Sequence, residues 1–175
     1  MPNHVTNVLT LKGEAQRVLE VIEYVSGEPD ASGFRRGFDF EKIIPPPDNL
    51  ESGNLSFETM KVLASKGIPD WYHWNSANWG TKWNAYEIEI SPKRIKFQTA
   101  WAMPEPIFKA LSKEFPDVEF QLKYADEDLG HNCGAMIFSN GNGSYTWKPS
   151  GCNREAEDFA SELVYGCKYD ELDQD

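Results

Sequence analysis

The chain has 175 residues, 40% of them hydrophobic and 13% aromatic, which is enough for one ring-rich core and too few for two domains of ordinary size. Its formal charge is −11, from 28 acidic against 17 basic residues, so phosphate backbones and anionic lipid surfaces repel it and direct nucleic-acid binding is not expected. No apolar run is long enough to span a bilayer, MPNHVTN lacks the basic and apolar regions of a signal peptide, and Cys133, Cys152 and Cys167 form no CxxC pair, so the expected setting is cytoplasmic.

Residues 5–11 (VTNVLTL) read as a strand with Val5, Leu9 and Leu11 on one face and Val8 on the other, the pattern of a central strand. Gly13 breaks it, and Ala15, Val18, Leu19, Ile22 and Val25 recur at helical spacing until Ser26, Gly27 and Pro29. Residues 28–80 read as an inserted helical lid. In it Phe38, Phe40, Ile43 and Ile44 form an extended packing segment that Pro45, Pro46 and Pro47 stop. One helix follows with Leu55, Phe57, Met60 and Leu63 near one face, then a second, capped by Asp70 and ended by Gly80.

Tyr86, Ile88 and Ile90 alternate with Glu87 and Glu89, and beyond the turn Ser91-Pro92-Lys93-Arg94 so do Ile95, Phe97, Thr99 and Trp101 with Lys96, Gln98 and Ala100. Pairing Ile90 with Ile95 sets Ile88 against Phe97 and Glu89 against Lys96, so two patterns select one register. Pro104 and Pro106 open a helix carrying Ile107, Phe108, Leu111 and Phe115, and a one-sided strand with Val118, Phe120, Leu122 and Tyr124 follows. The turn Asn140-Gly141-Asn142-Gly143 makes a second hairpin, expected to place Met136, Phe138, Tyr145 and Trp147 on one face. A last helix, capped by Asn153, has the stripe Ala156, Phe159, Ala160, Leu163, Val164 and Cys167, and residues 168–175 form an acidic tail expected to be flexible.

Without the insertion the first six elements run β-α-β-β-α-β. The expected class is α+β: a single ferredoxin-like domain over residues 1–175, a split βαβ antiparallel sheet with helices packed on one face, a two-helix insertion after the first helix, and a C-terminal hairpin plus helix.

Four phrases add a resemblance: MPNHVTN at residues 1–7 with Leu9, Leu11 and Gly13; Phe38, Asp39, Phe40, Ile43, Ile44 and Pro45; NWGTKWNAY at residues 78–86; and Phe97, Thr99, Ala100, Trp101 and Pro104. In these the chain resembles the YubB-like (Api-like) proteins of bacteriophages, prophages and conjugative plasmids, ferredoxin-like proteins of unknown function. WGTKWNA is the specific phrase, whereas the segment after Tyr124 rests on its pattern alone. The resemblance implies a mobile-element product in a bacterial cytoplasm and carries over no catalytic residue or cofactor.

Residues 71–101 hold five of the six tryptophans. Gly80 permits a sharp turn after the lid helix, Thr81, Lys82 and Asn84 offer a hydroxyl, an ammonium and an amide between Trp79 and Trp83, and Trp101 lies at the far end of the adjoining strand. This set of seven can hold an anionic or planar ligand by charge-assisted bonds and stacking. It equally describes a helix C-cap, a packed tryptophan cluster and a lysine lying along it.

Other chemistry has less support. The GxxxxGK[ST] spacing is absent, and Glu87 and Glu89 on the outer side of the first hairpin oppose RNA binding by the sheet. His131, Cys133 and Cys152 match no standard zinc spacing, and neither Asp39 with Glu41 nor the run Asp126, Glu127, Asp128 reads as a catalytic dyad. No catalytic residue, metal site or cofactor is therefore assigned. The expectation is a non-catalytic module that binds a protein partner through its acidic surface and aromatic loop. The alternatives are a small-ligand or nucleotide-binding regulatory domain at that loop, and an acidic mimic of nucleic acid.

Overall fold

A computed structural model describes residues 2–172. The central strand β1 (His4–Lys12) buries Val5, Leu9 and Leu11 on one face, as the alternation requires. Helix α1 (Ala15–Val25) lays Val18, Val21 and Val25 over that face, and Arg17 fixes its start by a two-pronged ion pair to Asp117, with Nε at 2.6 Å from Oδ2 and Nη2 at 3.0 Å from Oδ1.

The segment expected as a two-helix lid contains three helices. Residues Phe38 to Ile44 are not a continuous extended segment: Asp39 accepts a bond from the Glu41 amide at 3.1 Å and starts a single turn, α2 (Phe40–Ile43). That turn drives Phe38 and Phe40 into the core, where their rings meet at 5.3 Å and Phe38 meets Phe97 at 4.8 Å. Helix α3 (Phe57–Ser65), capped by Ser56, buries none of its residues, and Phe57 is 63% exposed, so the expected burial of its stripe does not occur. Helix α4 (Trp71–Asn78) is capped by Asp70 as the sequence indicates.

Strands β2 (Tyr86–Ser91), β3 (Arg94–Ala100), β4 (Glu119–Asp126), β5 (Cys133–Ser139) and β6 (Asn142–Trp147) complete a six-stranded antiparallel sheet of order β2-β3-β1-β4-β5-β6. Its first four positions are those of the ferredoxin-like βαββαβ unit, with α1 and α5 (Glu105–Glu114) as the two crossovers. Ile90 pairs with Ile95 and Glu89 with Lys96, but a bulge at Glu87, whose φ is +49, then sets Tyr86 against Gln98 and ends the expected alternation.

The helices do not all pack on one face. One side of the sheet is filled by α1 and α5, whose Ile107, Phe108 and Leu111 meet Phe97, Phe120 and Phe138. Helix α6 (Arg154–Val164) therefore covers the other side, where small residues leave room: Ala156 and Ala160 settle against Ala125 and Cys133. The second hairpin is corrected in the same way. A register shift between Ala135 and Met136 puts Tyr145 opposite Met136 but Trp147 opposite Ala135, so Trp147 stacks on Phe159 of α6 at 4.4 Å instead of joining the first core. Helix α6 stops before Cys167. In the expected tail Tyr169–Glu171 forms a 3-10 turn, Arg154 reaches Asp170 at 2.6 Å, and residues 173–175 lie outside the described residues.

Candidate functional site

The junction between the inserted segment and the sheet begins at Asp70. Burial opposes its ionisation, but bonds from the His73 amide and ring hold its carboxyl below the ordinary value, and they fix the first turn of α4. That helix presents Tyr72 and Asn75 on one side and Trp74 on another. Trp79 closes it and is 3% exposed, with Nε1 bonded to the Ile44 carbonyl at 2.9 Å and its ring against Phe40 and Trp74. Trp79 is a packing anchor.

Gly80 turns the chain with φ +78, and a Cβ there would lie 2.9 Å from Pro106 Cδ. Thr81 is buried; its hydroxyl donates to the Ala100 carbonyl at 2.7 Å and accepts from the Ala100 amide at 3.2 Å, tying the turn to β3. Asn84 is equally committed, since its Oδ1 accepts from the Phe40 and Ala85 amides at 2.9 and 2.8 Å while its Nδ2 donates to Asp39 at 2.7 Å. Four of the seven residues singled out by sequence, Trp79, Gly80, Thr81 and Asn84, thus hold the junction together and do not face solvent as a group.

The other three, Lys82, Trp83 and Trp101, gather on the surface. The Lys82 Nζ lies over the Trp83 and Trp101 rings at 4.9 Å from each centroid, and over Tyr72 at 5.8 Å. Tyr72 is the member that sequence reasoning missed. Its only signal was that it falls in the tryptophan-rich phrase one helical turn before Asn75, whose Nδ2 bonds the Lys82 carbonyl at 3.0 Å. Trp83 and Trp101 remain 36% and 43% exposed.

The walls are fixed. Trp101 has φ +72, rare for a bulky residue, and is clamped on both sides: its amide donates to the Asn3 carbonyl at 2.9 Å and its carbonyl accepts from Asn132 Nδ2 at 3.0 Å. Trp83 sets its ring on Tyr86 at 6.2 Å, and Tyr86 in turn contacts His4 Nδ1 at 2.6 Å. Burial, with Glu87 and Glu127 nearby, pushes the Tyr86 phenol up to about 12, so it stays neutral and acts as a post. Among the described residues no carboxylate forms an ion pair with Lys82 and no acceptor bonds its ammonium.

His131, Cys133 and Cys152 line a separate cleft of about 360 Å3, where burial raises the Cys133 thiol. Among the described residues no group of three or more His, Cys, Asp or Glu is placed to hold a metal ion. Asp126 is structural, accepting from Asn3, the Asp128 amide and Asn132.

Residues 78–167, from the end of α4 to just past α6, match the family model of the ferredoxin-like domain in Api92-like proteins. The chain belongs to the Api92-like family. The matched part of this Api92-like chain includes Lys82, Trp83 and Trp101 and excludes Tyr72. The crystal structure of protein api92 from Yersinia pseudotuberculosis is similar, with a TM-score of 0.54 at 9% identity over 85% of this chain and 99% of that one. At that identity the likeness concerns the fold alone. No curated protein matches the chain in sequence. No helix among the described residues is long and apolar enough to cross a membrane.

Proposed function

We propose that this Api92-like chain is a non-catalytic protein-binding module, an accessory protein of a bacteriophage or plasmid acting in a bacterial cytoplasm. Its docking surface is the cluster Tyr72, Lys82, Trp83 and Trp101. The observation that carries the reading is that Trp83 and Trp101 stand 36% and 43% exposed while neighbouring groups position them, Trp83 against the Tyr86 ring and Trp101 by backbone bonds to Asn3 and Asn132 in a conformation that costs energy to keep. Exposed, preorganised rings are the usual anchors of protein interfaces, because they bury large areas with little loss of side-chain freedom. The charge of −11 favours a basic partner by steering its approach.

The test is affinity capture from host lysate over a range of salt concentrations. Wild-type protein and a Phe57→Ala control should retain one and the same partner, and a Trp83→Ala/Trp101→Ala variant of unchanged fold should lose it. Recovery of chaperones alone, or of the same partner by all three proteins, would refute the reading.

A further inference from the structure

Three aromatic faces from three segments converge on a single point: Tyr72 from α4, Trp83 from the turn before β2, and Trp101 from the first residue past β3. The point is occupied by an ammonium group, and the ammonium is the protein's own. Ring faces carry the negative side of the aromatic quadrupole, so such a convergence is complementary to a cation whichever molecule supplies it.

The walls and the occupant differ in how they are held. Tyr72 sits on a capped helix, Trp83 leans on Tyr86, and Trp101 is bonded through both its amide and its carbonyl. The Lys82 backbone is fixed by Asn75, but its ammonium makes no hydrogen bond or ion pair among the described residues. It can swing out on its flexible stem by giving up only its ring contacts. An anion would gain that one charge but would have to settle against ring faces, on a chain of charge −11.

We infer that Tyr72, Trp83 and Trp101 form an aromatic cage for an alkylammonium group, the side chain of a lysine or N-methylated lysine on a basic partner protein, and that Lys82 is an internal plug which the partner displaces. This inference deepens the docking reading and rests on it. It assigns the chemistry recognised at the surface, and it gives Lys82 the role of a competitor instead of a contact.

The test uses a short acetylated, amidated peptide containing trimethyl-lysine, with a matched glutamate peptide and sodium chloride at equal ionic strength as controls. The readout is the indole N–H signals in two-dimensional NMR. The trimethyl-lysine peptide should shift the Trp83 and Trp101 signals in the wild type. It should bind the Lys82→Gln variant about two- to fivefold tighter, the gain expected when one exposed cation–π competitor is removed. The additional change Trp101→Ala, in a protein whose circular dichroism shows it folded, should abolish the effect. Equal or weaker binding by Lys82→Gln, or a preference of wild type for the glutamate peptide, overturns the cage. If no peptide binds either protein while partner capture still depends on Trp83 and Trp101, the cage is refuted and the docking surface stands. If capture is also independent of both indoles, the two readings fall together.

Discussion

The backbone at Trp101 makes a prediction that runs against ordinary substitution rankings. With φ at +72, any residue bearing a Cβ is strained there by about 1–2 kcal/mol, a cost that glycine avoids. Glycine in turn gives up about 0.5–1 kcal/mol through the greater freedom of its unfolded chain. The difference should leave Trp101→Gly more stable than Trp101→Ala by about 0.5–1 kcal/mol, although alanine is elsewhere the safer truncation. Both variants lose the ring, which meets Tyr72 edge-on at 6.1 Å and the Lys82 ammonium at 4.9 Å. Those two contacts together contribute about 1–2 kcal/mol beyond the ring area that is buried, so alanine should fall below wild type by more than that amount and glycine should recover about 0.5–1 kcal/mol of the loss. Urea unfolding followed by far-ultraviolet circular dichroism measures the difference without depending on the fluorophore that is removed. Trp101→Asn should fall between the two, since asparagine tolerates this region better than alanine. An alanine variant as stable as the glycine variant, or more so, would mean that the clamp by Asn3 and Asn132 does not impose this backbone in solution, and the third wall of the cage would lose its basis.

Two further outcomes follow from the junction. Asn84→Ala frees the Phe40 amide and takes a donor from Asp39, so it should cost about 2 kcal/mol, and Asn84→Asp should cost more because it sets a second carboxylate beside the first; thermal melts that leave either variant level with wild type would contradict the bonding described. For Tyr86 the sign is that of a group whose folded pKa, about 12, lies above its unfolded value of about 10. The folded protein holds the proton more tightly, so this contribution to stability is complete below about pH 10 and lost as pH climbs toward about 12. Tyr124, whose burial also pushes its phenol up, ionises late as well, so an ultraviolet difference titration should show one fewer late-ionising phenol in Tyr86→Phe than in wild type; identical titrations would refute the shift.

How far the sequence revealed the site depends on which forces act on each residue. Gly80, Thr81 and Asn84 were singled out for their chemistry, and their chemistry is spent internally, because the partners at Pro106, Ala100, Asp39 and Phe40 come from distant segments that no local pattern reveals. Trp79 and Trp83 look alike in the phrase WGTKWNA, yet one fills the space between Phe40 and Trp74 and the other stays at the surface. Tyr72 joined the cluster only when α4 was docked, since its neighbours on the helix do not mark it.

The sequence by itself determined the order of the strands and of the helices other than the single turn α2, the caps at Asp70 and Asn153, and the pairing of Ile90 with Ile95 and Glu89 with Lys96. These follow from periodicity and from bonds between residues close in the chain, which act before any tertiary contact exists. Only the tertiary structure decided that α6 takes the second face of the sheet, because α1 and α5 already occupy the first. It also decided the bulges at Glu87 and beside Ala135, each of which turned a predicted side chain to the other face. The meeting of Tyr72, Trp83 and Trp101 around Lys82 belongs to that second group, since it depends on three separately anchored backbones reaching one point.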